Sequence, residues 1–380
     1  MRKASHTLGL FLTVREQFEP NTGLSFMESN EPIGTMTVQS VHFEGPDAVR
    51  VQLSPSPEDQ ARWIHEPGAF ITFSITPTLQ RSYTLVNPVG SFPLEIVVRS
   101  IPGGKGSQFF NEVAQVGSVM RVKPPRSLLW RPEWNKESTH FICFAGGIGI
   151  TPIFSLIQHA LLHPELGHRI TLFYSNRSRR HEIFGDLLHA WGDRIEFIPL
   201  YSEDIQLEDS QYASHMTIQR IQDWLQPVED KEQAMYIVSA PPRLMRTVHA
   251  GLDEAQIPQN RRHTERFTAA ALSDSLPDLP SNPTTDRPRC TIELERDHAV
   301  EEFQMHGEGQ SILDAALDAG LSVPYSCRGG VCLSCLAQVT EGEVQTEGDN
   351  GLTEQEQREG LILCCKSQPK SEELKLRFMH

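Results

Sequence analysis

YSCRGGVCLSC at residues 325–335, with a further cysteine at position 365, decides the reading of this 380-residue chain. Cys327, Cys332, Cys335 and Cys365 stand in the spacing C-x4-C-x2-C-x29-C. A close triple with one distant partner is the pattern of a plant-type 2Fe-2S site, in which four thiolates hold two irons. Structural zinc favours two separated CxxC pairs. Gly329 and Gly330 suit a loop that wraps a compact cluster, because residues without a Cβ reach positive φ and let backbone N–H groups approach sulfide.

Outward from the loop, the C-terminal module is acidic. From Cys290 onward there are seventeen Asp and Glu against seven Lys and Arg, a net of −10 within a chain net of −15. Nucleic acid requires a basic surface and is excluded as a partner. The acidic surface is either plain solvation or a docking face for a redox acceptor protein with a basic patch. No apolar run approaches the ~20 residues that span a bilayer, so an integral membrane protein is not expected. The apolar stretch 8–14, behind Arg2 and Lys3, is thin for a secretory signal and lacks a small-residue cleavage site. Seven cysteines, four of them assigned to metal, leave Cys143, Cys290 and Cys364 outside the metal set. That usage fits a reducing, cytoplasmic setting better than a disulfide framework.

Composition divides the chain. Residues 268–289 combine three central prolines with small and polar residues and no period, which predicts a flexible linker. The cysteine module then occupies 290–380, with a strand near 291–295 and a helix over 311–319 capped by Ser311. Residues 34–133 hold short alternating runs broken by Pro and Gly, which predict an antiparallel barrel or sandwich. From 138 to 267, compact apolar strands at 140–145, 170–174, 195–200 and 235–238 alternate with helical stretches, the βαβ pattern of a doubly wound parallel sheet. Residues 1–33 fit neither texture and form an N-terminal extension of unknown role.

The strand at 140–145 runs into GGIGITP at 146–152 and then a helix. Gly146, Gly147 and Gly149 allow a pyrophosphate to approach the backbone and the helix N-terminus. Thr151 can cap that helix, and Pro152 suits its first turn. The next strand ends in YSNRSRR at 174–180, where a dinucleotide's adenosine ribose is read. An acid there favours NADH and arginine accommodates a 2′-phosphate. Arg177, Arg179 and Arg180 precede the first acid, Glu182, so NADPH is expected over NADH.

In the barrel region, RSYT at 81–84 follows a strand, and RSIPGGKGS at 99–107 offers glycines and a hydroxyl. Arg81 can pair with a phosphate, Tyr83 can stack on a flat ring and Thr84 can hydrogen-bond a ring nitrogen, while N–H groups around Gly104, Gly106 and Ser107 can hold a pyrophosphate. Structural roles suit the same residues. The electron count favours a flavin: NAD(P)H delivers two electrons together and a 2Fe-2S cluster accepts one at a time, so a chain that binds both needs a converter.

Together these motifs resemble a known family: ferredoxin–NADP+ reductase-type flavin reductases with a C-terminal plant-type ferredoxin, the reductase components of bacterial multicomponent oxygenases, phenylacetyl-CoA epoxidase reductase subunits among them. The resemblance covers 34–380 and rests on the motifs above together with HTERF at 263–267. It implies an antiparallel flavin barrel, a doubly wound nicotinamide domain and a β-grasp ferredoxin. It implies FAD rather than FMN, contacted by Arg81, Ser82, Tyr83 and Thr84, with Ser107 and its glycines on the pyrophosphate. It implies coenzyme contacts from Asn176, Arg177 and Arg179, Glu265 at the flavin–nicotinamide junction, Phe267 over the ring face and Cys365, not Cys364, as the fourth ligand. Two departures stand out. Ser239 and Ala240 occupy positions where the family has Cys-Gly, facing the nicotinamide, and PRSLLW at 125–130 replaces its P-x-G-x-F loop.

The expected activity is NAD(P)H-dependent electron transfer through FAD and 2Fe-2S to an external acceptor such as an oxygenase or hydroxylase. A desaturase, a Rieske oxygenase or a hybrid-cluster protein would serve as acceptor equally well. An electron carrier or redox sensor with impaired nicotinamide chemistry is the reading from another class, motivated by Ser239 and Ala240. His159 and His163, four apart on a helix, lack an evident third metal ligand and are read as packing or surface residues.

Overall fold

The computed structural model describes residues 34–76, 79–101, 104–203, 215–265, 290–296, 299–306, 309–321, 323–325, 328, 330, 333–346, 352 and 354–378. The N-terminal extension, the linker, Phe267, Cys327 and Cys332 lie outside the described residues.

The first unit is an antiparallel sheet of six strands. They are β1 (Gly34–Phe43), β2 (Ala48–Pro55), β3 (Phe70–Ser74), β4 (Gln80–Thr84), β5 (Leu94–Arg99) and β6 (Val119–Arg126), in the order β4-β3-β6-β1-β2-β5. An isolated antiparallel bridge from Leu85 to Ile96 joins the two ends of that order and closes the sheet. Alternation puts Val49, Val51 and Leu53 of β2 and Leu94, Ile96 and Val98 of β5 into one core with Met36, Val38 and Trp63. A short helix, α1 (Lys105–Gln108), follows β5 and continues into a wider turn over Phe109–Val113.

The second unit is a parallel sheet. Its strands β7 (His140–Gly146), β8 (Arg169–Asn176), β9 (Glu196–Tyr201), β10 (Met235–Ser239) and β11 (Arg262–Glu265) run in the order β11-β10-β7-β8-β9. Successive β7 residues serve opposite faces. Phe141, Cys143 and Ala145 pack with α2 (Ile150–Leu162) and Leu188 of α3 (Gly185–Ala190). Ile142 and Phe144 pack with residues of α4 (Ile218–Leu225) and α5 (Pro242–Glu254). Helices on both faces of a parallel sheet make it doubly wound, as expected.

The two units share a core. Leu129, Trp130 and Trp134, which follow β6, are buried in the cluster that holds Phe141 and Phe154, together with Ala48 and Val97 of the barrel. Each large apolar side chain so buried contributes about 1.5–3 kcal/mol. The shared core therefore fixes the barrel against the nucleotide sheet.

The third unit is a mixed sheet of β12 (Cys290–Arg296), β13 (Ala299–Met305), β14 (Leu336–Glu341), β16 (Leu361–Leu363) and β18 (Glu373–Phe378), in the order β13-β12-β18-β14-β16. The pair β15 (Val344–Thr346) and β17 (Ser367–Pro369) stands apart from it. Helix α6 (Ile312–Asp318) packs Ile312, Leu313, Ala315 and Ala316 into the core, and the Ser311 hydroxyl accepts the Asp314 N–H at 3.1 Å, the cap expected of it. A last helix, α7, spans Glu354–Arg358.

Candidate functional site

The glycine turn is a backbone cradle. Gly149 is the N-cap of α2, and a Cβ placed on it would stand 2.0 Å from the Ser239 carbonyl oxygen. Gly147 has φ +52°, and a Cβ there would meet Arg99 Nη1 at 2.6 Å. Gly146 faces Ala240 and Pro241 so closely that a Cβ would lie 3.0 Å from that of Ala240. The alanine at 240 is accommodated because its opposite residue has no side chain. Thr151 does not cap α2: it lies within the helix, buried, and its hydroxyl donates to the Ile148 carbonyl at 3.1 Å. The cap position is Gly149, so the N–H groups there meet no side-chain oxygen from the cap.

Ser239 ends β10, paired with Ala145 on one side and Glu265 on the other. Its hydroxyl is fully buried and has no hydrogen-bond partner among the described residues. A buried polar group is ordinarily satisfied, so an orphan at the C-terminal end of a parallel strand is a candidate ligand contact. Glu265 lies beside it on β11, with His263 Nε2 3.6 Å from its carboxylate.

Near the end of β8, Tyr174 ties that strand end to the glycine turn, a contact that sequence reasoning missed. Its hydroxyl donates to the Gly147 carbonyl at 3.1 Å and accepts from the Ile183 N–H at 3.1 Å, and burial pushes its pKa up. Asn176 is buried, and its side chain lies beside the Tyr174 hydroxyl. Glu182 turns inward, accepting from the Tyr201 hydroxyl at 2.7 Å and bonding His189 at 3.1 Å. Burial raises its pKa, and the carboxylate is occupied by these two partners. Arg177 is half exposed and pairs with Asp47 of the barrel at 3.4 Å.

The two barrel motifs come together. A Cβ on Gly106 would stand 2.5 Å from Arg81 Cγ and 3.1 Å from the Tyr83 hydroxyl, so the turn at 104–107 packs directly on β4. Tyr83 sits edge-on to Phe110 at 5.0 Å, and Thr84 is buried. Ser82 bonds Thr72 across the strands at 2.8 Å. The Ser107 hydroxyl closes its own loop, accepting the Ile101 N–H at 3.1 Å and donating to the Gly104 carbonyl at 2.9 Å. What this turn can offer a phosphate is its backbone N–H groups. In the segment 125–130, Ser127 accepts the Trp130 N–H at 3.3 Å and donates to the Pro67 carbonyl at 3.0 Å, so this departure from the family loop is locally satisfied.

Arg81 also reaches the cysteine loop. Its guanidinium lies 3.5 Å from the Tyr325 carbonyl and 5.6 Å over the Tyr325 ring, while Arg328 covers the same ring at 4.9 Å. Leu79, just before β4, forms a parallel bridge to Tyr325. Within the loop, Arg328, Gly330 and Leu333 all take positive φ. Cys335 and Cys365 are buried and held on adjacent segments by the bond from the Cys364 N–H to the Cys335 carbonyl at 3.1 Å. Ser334 is fully buried, and its hydroxyl has no hydrogen-bond partner among the described residues. Two buried thiols and a hydroxyl without a partner among the described residues suit an iron–sulfur cluster, whose sulfurs accept hydrogen bonds. His159 of α2 packs edge-on against Trp130 at 4.7 Å and lies 4.5 Å from the His163 ring just past the helix end, and among the described residues no group of three His, Cys, Asp or Glu side chains could hold a metal.

Residues 143–250 match the oxidoreductase NAD-binding domain family, and residues 297–370 match the 2Fe-2S iron-sulfur cluster binding domain family. The ferredoxin reductase component of 3-ketosteroid-9-alpha-monooxygenase from Rhodococcus rhodochrous is 26% identical, over 90% of this chain and 96% of its own. One of the subunits of 1,2-phenylacetyl-CoA epoxidase from Escherichia coli K12 is 24% identical, over 90% of this chain and 97% of its own. Among solved structures, phthalate dioxygenase reductase, a modular structure for electron transfer from pyridine nucleotides to 2Fe-2S, aligns with a TM-score of 0.57 at 25% identity, covering 91% of this chain and 98% of that one. The fold and site thus define a modular NAD(P)H-dependent oxidoreductase that unites flavin, nicotinamide and iron–sulfur units. Within that class the chain is similar along most of its length to reductase components of oxygenases.

Proposed function

We propose that this chain draws electrons from NADPH in preference to NADH, passes them through FAD, and delivers them singly from its 2Fe-2S module to an oxygenase. The bound flavin supplies the step between a two-electron donor and a one-electron acceptor. The chain's own residues do the positioning. Gly146, Gly147 and Gly149 let the coenzyme backbone approach α2, and Ser239 and Glu265 border the nicotinamide at the strand ends. Arg81, Tyr83 and Thr84 hold the flavin, with the 104–107 turn on its pyrophosphate. Phe267, by resemblance, covers the ring face. Cys327, Cys332, Cys335 and Cys365 ligate the cluster.

The observation that carries this reading is the contact between Arg81, on the flavin strand, and Tyr325, which opens the cysteine loop. It supports a direct path for single electrons from the flavin unit to the cysteine loop. The coenzyme preference is supported by Glu182, whose carboxylate is turned away to Tyr201 and His189 while Arg177 is half exposed. The acidic ferredoxin module suits an oxygenase with a basic docking patch, and a reducing cytoplasm suits the cysteine usage. Anaerobic mixing with NADPH or NADH, followed by flavin bleaching and then cluster bleaching, tests the whole order. Faster flavin reduction by NADPH is expected, and equal or faster reduction by NADH would overturn the preference.

A further inference from the structure

The hairpin between β1 and β2 is acidic, and it is docked on the basic loop that follows β8. Glu44 accepts the Phe184 N–H at 2.9 Å. A Cβ on Gly45 would stand 3.4 Å from the Arg180 carbonyl. The Asp47 carbonyl accepts the Ser100 N–H at 2.7 Å, so its backbone is held against β5 as well. On this fixed turn a single oxygen, Asp47 Oδ2, carries two arginines from two different units. Arg99 of β5 grips it with Nε at 2.9 Å and Nη2 at 2.7 Å. Arg177, just after β8, reaches it only through Nη2 at 3.4 Å.

The two arms differ. Arg99 is a short, two-pronged, charge-assisted contact and its side chain is 25% exposed. Arg177 is a single long contact with a side chain 53% exposed, so it is the arm that can let go. Arg99 meanwhile presents its third nitrogen to Gly147 of the glycine turn. A carboxylate therefore sits where two guanidinium groups converge beside a dinucleotide turn, at the residue assigned to the 2′-phosphate. A phosphate carries more charge and more acceptor oxygens than a carboxylate, and can displace it from an exposed arginine.

We infer that Asp47 is a built-in competitor: it occupies Arg177 until the coenzyme's 2′-phosphate replaces it, and it thereby limits how strongly the enzyme prefers the phosphorylated coenzyme. The inference rests on the reading of Arg177 as the 2′-phosphate residue. Asp47 is thus a specificity-determining residue supplied by the flavin barrel rather than by the nucleotide domain.

Adenosine 2′,5′-bisphosphate and 5′-AMP differ only by the 2′-phosphate. Calorimetric titration of the holoenzyme with each gives the ratio of their dissociation constants. Asp47→Asn is expected to raise the preference for the bisphosphate by up to about fivefold, the scale of an exposed ion pair. Asp47→Glu keeps the competitor and stays near the wild type. In an Arg177→Gln background, Asp47→Asn has no further effect on the ratio. An unchanged or lowered ratio in Asp47→Asn, with Arg177→Gln still lowering it, would overturn the inference alone. Should Arg177→Gln leave the ratio unchanged, the 2′-phosphate reading falls, and the inference with it. If Asp47→Asn loses its flavin, Asp47→Ser serves in its place, with flavin content measured before titration.

Discussion

Gly149 touches the backbone of Ser239 across the strand β7–β10 boundary: a Cβ would lie 2.0 Å from the Ser239 carbonyl oxygen and 2.5 Å from its carbon. No side-chain motion relieves a clash with main chain. Gly149→Ala therefore forces β10 and the glycine turn apart, at about 1–3 kcal/mol for overpacking of this kind. The variant should melt earlier, keep its cluster absorbance and bind NADP+ more weakly. Unchanged coenzyme affinity would show that the turn does not serve the dinucleotide.

Ser239 itself gives the opposite pattern. Its hydroxyl is buried and unpartnered among the described residues, so Ser239→Ala removes a group that is desolvated without return. Stability should stay level or rise slightly. Flavin reduction by NADPH should slow by about tenfold if the hydroxyl orients the nicotinamide, since misplacement at a reacting centre is costly. Ser239→Cys should retain most of the rate. Stopped-flow rates for Ser239→Ala that match the wild type would remove Ser239 from the hydride site.

Much of the fold was legible because it is written in short-range pattern. The alternating runs of the barrel, the compact strands around 140–145 and 235–238, and the strand–glycine–helix turn each announce themselves within a dozen residues. The site was legible where chemistry clusters in sequence, as in the cysteine loop and the turn at 146–149. It was not legible where partners are distant. Asp47 meets Arg99 and Arg177 from 52 and 130 residues away, and only folding of the barrel against the nucleotide sheet brings them together. Hydroxyls were also ambiguous. Thr151, Ser107 and Ser239 look alike as sequence, yet the first two are spent on backbone carbonyls and the third has no partner among the described residues.

Tyr325 lies between Arg81 and Arg328, and it is the point where the flavin strand meets the cysteine loop. Tyr325→Ala should leave flavin reduction by NADPH unchanged and slow the subsequent reduction of the cluster by about tenfold or less, as expected for lost positioning rather than lost chemistry. The cluster spectrum of the resting protein should be retained. Equal slowing of both phases would mean that the contact serves the barrel alone.

His159 provides a pH test. Burial, then the nearby His163 and His168, hold its pKa down to about 4 from the ordinary 6.5. The folded chain thus takes up this proton less readily than the unfolded one. The stability it contributes is complete above pH 6.5 and is lost as pH falls through about 4. Its ring packs 4.7 Å from Trp130, in the core shared by the barrel and the nucleotide sheet. His159→Gln should be less stable than the wild type near neutrality, through lost packing, but should lose less stability between pH 6.5 and 4. Denaturation curves that fall in parallel across that range would exclude His159 as the acid-sensitive group.

The neighbouring pair Cys364 and Cys365 can be separated by substitution. Cys364 is 1% exposed, and its N–H and carbonyl are both committed, to the Cys335 carbonyl at 3.1 Å and the Leu313 N–H at 3.0 Å. Cys365 is 8% exposed and follows at the turn that leads from β16 to β17. Adjacent side chains on such a segment point in different directions, so the two substitutions are expected to have different effects. Cys365→Ser should abolish the visible absorbance of the cluster and its signal in the reduced protein, leaving flavin reduction intact. Cys364→Ala should keep both spectra and cost about 1 kcal/mol of stability through a small cavity. A cluster that survives Cys365→Ser and fails in Cys364→Ala would exchange the two roles and shift the ligand spacing by one residue.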